Sequence, residues 1–176
     1  MTRPLIRLLG LILLAPVSAY AEPQPAVLAL MPYMDVTATC FDGAEDSAEA
    51  TVCIGQGSSA CMETEVDGFS TIGMMFCSLA EAEAWDRLLN RVYAEKMDRL
   101  KAMDEVTAEH WPELANAADS LRAAQRAWIP LRDADCSLEY ALWTSGSMRN
   151  IAGSGCRLQM TAERTIYLRF LGDNMR

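Results

Sequence analysis

Residues 121–136, LRAAQRAWIPLRDADC, decide how the rest of the chain must fold. On a helix, Leu121, Gln125, Trp128, Arg132 and Cys136 recur at steps of three and four and so share one face. That face mixes large apolar groups with an amide, a guanidinium and a thiol. Burying it requires partners for Gln125 and Arg132, because an unpaired buried charge costs several kcal/mol.

The helices on either side carry matching groups. Leu79, Trp85, Leu88, Leu89, Val92, Tyr93, Met97 and Leu100 keep helical spacing, with Glu83, Arg87, Arg91, Glu95, Lys96 and Arg99 on the other face. This helix starts at a Ser78–Glu81 capping box or further back, near Ser70-Thr71, and ends near Thr107. Trp111-Pro112 opens the helix that holds residues 121–136 and runs to about Trp143, with Pro130 in its interior as an expected kink. Residues 144–155, TSGSMRNIAGSG, read as a loop on their glycines and serines. The last helix is expected from Cys156 to Leu171, with Gly172 as its stop.

Polar groups threaded along these three helices form one expected set: Asp86, Asn90 and Tyr93; Gln125, Trp128, Arg132 and Asp133; Thr161 and Arg164. Arginine forks suit such a set, since they bond carboxylates in pairs. The residues alternate with core positions instead of sitting on glycine-rich loops. They therefore read as an interior network that fixes helix register, rather than as a catalytic site.

At the other end of the chain, Arg3 and Arg7, an apolar run from Leu8 to Val17 and Ala19-Tyr20-Ala21 make a secretory signal with a cut before Glu22. The apolar run is well short of the ~20 residues a membrane span needs. The exported product is expected to be periplasmic or secreted. Residues 22–32 carry three prolines and read as a flexible leader, and residues 33–176 as a single helical domain. A helix is expected from Tyr33 to about Ala50 and a shorter one from Ser58 to Glu65. Cys40, Cys53, Cys61 and Cys77 staple this part into a cap.

An even set of six cysteines in an exported chain points to disulfides, and the spacing fits no zinc pattern. The three pairings possible among those first four cysteines stay open. With no strand-like alternation, the fold reads as all-α: an antiparallel bundle of three long helices plus a small disulfide-stapled helical cap.

The net charge of −9 becomes −11 once Arg3 and Arg7 leave with the signal, which disfavours nucleic acid and favours a cationic partner. No enzyme signature is present. His110 is the one histidine, with no nucleophile beside it and no phosphate-cradling loop. The eleven methionines, Met74-Met75 among them, read as core filler, so no metal and no cofactor are expected.

Three motifs in order carry a resemblance. Asp86-x-x-Leu89-Asn90-x-x-Tyr93 is followed by Leu121-x-x-Ala124-Gln125-x-x-Trp128-x-x-x-Arg132-Asp133-x-x-Cys136, and then by Cys156-x-x-x-x-Thr161-x-x-Arg164. Together they resemble the LprI-like lysozyme inhibitors, over about Met74 to Leu171. The chain departs from that pattern at Pro130, in its extra cysteines between Cys40 and Cys61, and in lacking a lipid-anchoring cysteine.

The resemblance implies a Cys136–Cys156 disulfide. It also implies a non-enzymatic protein that binds lysozyme or another basic cell-wall hydrolase. Two contact surfaces are open on that reading. One is the loop residues Ser147, Arg149 and Asn150, with Arg149 placed to meet catalytic carboxylates; the other is an acidic face with Glu63, Glu65 and Asp67. The alternative function is a periplasmic envelope-maintenance or interaction protein without lysozyme activity.

Overall fold

A computed structural model describes residues 23–173. The signal segment and its cut site lie outside them. Seven α-helices follow in order: α1 (Pro25–Ala29), α2 (Asp35–Gly43), α3 (Ser47–Val52), α4 (Gln56–Thr64), α5 (Thr71–Ala108), α6 (Ala117–Leu142) and α7 (Met148–Phe170). Three long helices form the bundle and the four short ones cover its flank. No strand occurs among the described residues, and none of their helices is long and apolar enough to cross a membrane.

The axis of the fold is α5, 38 residues long or about 57 Å. It contains no proline, and its lone glycine, Gly73, sits in the first turn, where the Ser70 hydroxyl accepts from its N–H at 3.0 Å. Along α5 lies α7. Trp85, Leu89, Ala162 and Leu168 between them are at most 2 % exposed. Phe41 of α2 meets the Trp85 ring edge-on at 5.2 Å. Thr165 is buried at this contact, its hydroxyl donating to Thr161 O at 2.8 Å and lying 3.3 Å from Trp85 O. Small side chains at this seam bring the two backbones close.

Charged side chains fasten helix ends that lie far away in sequence. The Glu81 carboxylate, fully buried, accepts from Gly55 N and Ser58 N at 2.7 Å and from Trp85 Nε1 at 3.1 Å. It caps the start of α4, where Gly55 has the left-handed φ of +91°. Asp104 likewise caps α6, accepting from Ala117 N and Ala118 N at 2.9 Å. At the opposite polarity, Lys96 donates to Leu171 O at 2.9 Å and Arg169 to Phe41 O and Ala44 O. Carboxylates meet helix N-termini and cations meet C-termini, as the orphan backbone groups and the helix dipole require.

Several expectations need correction. Residues 25–29 of the expected leader form α1, and Val27 is buried against the cap's own small core with Met34, Cys61, Cys77, Ala80 and Ala84. The single helix expected over Tyr33–Ala50 is a 3-10 turn followed by α2 and α3. It breaks after Gly43 because Asp46 turns outward and caps Ala48 N and Glu49 N. Ser78 lies inside α5, so Ser78–Glu81 is no capping box; Glu81 caps another helix instead.

Trp111-Pro112 leads a 3-10 turn at Pro112–Leu114, not α6. Most of the expected loop 144–155 is helix, since α7 begins at Met148. The reason lies at Gly153: a Cβ there would meet the Tyr140 side chain at 3.2 Å. Its glycine is a packing residue that lets α6 and α7 approach. Pro130 lies inside α6, its ring exposed, and the helix continues past it.

Candidate functional site

The polar residues expected to cluster do so in two groups joined by one ring. Arg132, 7 % exposed, donates to Asp133 Oδ1 from Nε at 3.0 Å and from NH2 at 2.9 Å. Its NH1 lies 3.8 Å from Asp86, which in turn accepts from Asn90 at 3.1 Å. Arg164 donates to Gln125 Oε1 at 2.9 Å. The Trp128 ring lies under both guanidinium groups, 5.1 Å from Arg132 and 5.8 Å from Arg164, and Tyr167 also faces Arg164 at 5.3 Å.

Burial draws the Arg164 guanidinium below its ordinary range, with Tyr167 pulling the other way. Its buried NH2 finds no hydrogen-bond partner among the described residues. Thr161 and Tyr93 stand apart from the two groups: Thr161 donates to its own helix at Arg157 O, and Tyr93 packs on the core.

Asp133, half exposed, links this cluster to a groove. The groove holds about 380 Å³ between α5 and the α6–α7 pair. Its floor is Met75, Leu79, Cys136, Tyr140 and Gly153; Asp133, Arg157 and Asn150 supply its polar rim. Arg157 comes within 3.9 Å of Asp133. The Cys136–Cys156 disulfide closes one wall and ties α6 to α7 directly. The four cap cysteines pair as Cys40–Cys53 and Cys61–Cys77.

Arg149 stacks over Tyr140 at 4.6 Å and donates to Thr144 O at 3.1 Å. Ser147 is exposed as the N-cap of α7, and Asn150 lines the groove. Glu65 accepts from Tyr33 Oη at 2.8 Å, a bond that raises the phenol above its usual range, while Glu63 and Asp67 are exposed. Because α5 and α6 run antiparallel, the α4–α5 corner and the α6–α7 turn lie at the same end of the bundle.

Arg157 and the groove floor escaped sequence reasoning. Read as helix, residues 148–156 would have placed Gly153 opposite Tyr140 and Arg157 beside Asp133. The glycines masked that register.

The arrangement offers a groove whose rim carries Asp133, Asn150 and Arg157. Comparison with known proteins gives the family. The family model described as lysozyme inhibitor LprI matches residues 61–168, and the chain belongs to that family. An uncharacterized protein of Rhizobium meliloti (strain 1021) is 32% identical over 105 residues, covering 60% of this chain and 76% of that protein. An uncharacterized 17.7 kDa protein of Rhodobacter capsulatus is 28% identical over 136 residues, 75% of this chain and 82% of the relative. No solved structure matches the chain.

Proposed function

We propose that this protein acts outside the cytoplasm as a non-enzymatic inhibitor of a lysozyme-type cell-wall hydrolase, by protein–protein binding. Membership of the LprI lysozyme-inhibitor family over residues 61–168 carries the reading. Three disulfides support an oxidising compartment. The net charge of −9, or −11 without residues 1–21, supports attraction to a cationic enzyme. The contact surface in this reading is the bundle end that carries Ser147, Arg149 and Asn150 together with Glu63, Glu65 and Asp67. Arg149 is held by Tyr140 and Thr144, so it would meet a carboxylate-bearing cleft with little ordering cost.

Titration of the purified protein into a lysozyme lysis assay at low and physiological ionic strength tests this. Inhibition at micromolar protein, weakening with salt, is expected. No inhibition at either salt would overturn it and favour the alternative, a periplasmic envelope-maintenance or interaction protein without lysozyme activity.

A further inference from the structure

The three disulfides differ in what surrounds them. Cys61 is 0 % exposed, its partner Cys77 1 %, and Cys53 0 %. Cys40, bonded to Cys53, is partly exposed, but the Gln56 side-chain amide lies 3.4 Å from its sulfur. Cys136 and Cys156 are both partly exposed, and Cys136 lines the groove between α5 and the α6–α7 pair. The Met160 thioether lies 3.7 Å from Cys136 Sγ and 3.8 Å from Cys156 Sγ, a soft and movable cover on one side of the bond. Arg157 lines the same groove and Arg132 offsets Asp133 at its rim, so an arriving thiolate is not repelled.

What the bond holds is equally uneven. On α7, Ser154 and Leu158 are buried on either side of Cys156. On α6, no residue beyond Arg132 is buried. Besides the disulfide, residues 133–142 are tied to α7 by Tyr140, which packs on Gly153 and lies under Arg149, and by Asp133, 3.9 Å from Arg157. Asp133 and Arg157 are each about half exposed, so that ion pair is weak.

We propose that the Cys136–Cys156 disulfide is a reducible latch. A dithiol reductant opens it while both cap disulfides stay closed, and opening it frees the second half of α6 and with it one wall of the groove. One thiolate of the reductant attacks Cys136 Sγ, Cys156 leaves as a thiolate, and a mixed disulfide forms at Cys136. The second thiolate of the reductant then displaces Cys136 and closes the reductant's own disulfide. Two electrons pass to the protein, and the two protons of the dithiol end on Cys136 and Cys156. Reduction also weakens partner binding at this end of the bundle, a consequence that rests on the inhibitor reading above.

Treating the native protein with dithiothreitol, trapping thiols with iodoacetamide and mapping them by peptide mass spectrometry reads the order directly. Label should appear at Cys136 and Cys156 at least about tenfold faster than at the other four, because burial makes a disulfide sulfur inert. Cys40 and Cys53 should follow, and Cys61 and Cys77 come last. Opening of all three bonds together, or of a cap bond first, overturns the proposal. In protein labelled only at Cys136 and Cys156, hydrogen exchange over residues 133–142 should speed up by about tenfold or more, while α5 and the cap keep their protection. Unchanged exchange there would show that the latch holds nothing, and would sink the idea equally.

The doubly substituted C136A/C156A protein supplies the link to binding without a bulky label. Its inhibition of lysozyme should be about tenfold weaker than that of the oxidised wild type, and insensitive to dithiothreitol at levels that spare the cap. Equal potency of the two proteins overturns control of binding by the latch. An oxidised wild type that does not inhibit at all refutes the inhibitor reading instead, and the labelling order and the exchange then decide on the latch by themselves.

Discussion

Helices α6 and α7 have similar lengths, 26 and 23 residues, and both are amphipathic, yet they are held in different ways. In α7 the buried set is Ser154, Leu158, Thr161, Ala162, Thr165, Ile166 and Leu168, a continuous stripe against α5. In α6 it is Ala118, Leu121 and Arg132. What α6 lacks in core it replaces with discrete fastenings: the Asp104 cap, the Gln125–Arg164 bond, the Arg132–Asp86 ion pair and the disulfide at Cys136. A helix pinned at points leaves one long side free, with Leu131, Leu138 and Leu142 more than half exposed.

The largest loss should come from the well-buried half. Glu81→Ala leaves Gly55 N, Ser58 N and the Trp85 indole without an acceptor. At about 1–3 kcal/mol for each unsatisfied buried donor, the protein should lose roughly 3 kcal/mol or more in urea denaturation. A loss under 1 kcal/mol would mean water replaces the carboxylate and the cap is not anchored there.

Next in size is the covalent fastening of α6. Replacing Cys136 and Cys156 together by alanine opens a 20-residue separation, worth about 3 kcal/mol in the chain-entropy model. Hydrogen exchange sharpens the comparison. Amides in the second half of α6 should lose protection in this variant while those of α7, held by core, keep most of theirs. Equal loss in both helices would show that they unfold as one unit.

The same contrast explains what could be read from the chain. The α5 and α7 stripes were legible because hydrophobic spacing reports burial against a core. The motif residues Gln125, Arg132 and Arg164 were legible because polar groups among core positions demand partners. The long-range caps were not. Glu81 sits three residues after a serine, the pattern of a local capping box, and nothing local says that its acceptors serve Gly55 and Ser58 instead. In sequence, residues 148–155 look like loop because glycine spoils helix propensity. Against Tyr140 the absence of a side chain is what allows close packing, so tertiary contact outweighs propensity there. The groove rim, built on this helical turn, was hidden with it.

A smaller effect is expected from the non-covalent fastening at the other end of α6. Asp104→Ala removes the acceptor for Ala117 N and Ala118 N, and the Asn116 N-cap makes no side-chain bond to replace it. Loss of a cap costs about 0.5–2 kcal/mol, and Asp104→Asn should recover part of it through its amide oxygen. If Asp104→Ala matches wild type in chemical denaturation, the cap adds nothing beyond what water supplies.

The smallest change isolates the free side of α6. Leu168→Ala, at a fully buried site of α7, should cost about 2–5 kcal/mol as a core truncation. Leu131→Ala removes the same atoms from a residue 54 % exposed, where surface substitutions usually stay within about 0.5 kcal/mol. The denaturation midpoint of Leu131→Ala should therefore coincide with wild type. A midpoint shift as large as that of Leu168→Ala would show Leu131 supporting its own chain, and α6 would then be held much as α7 is.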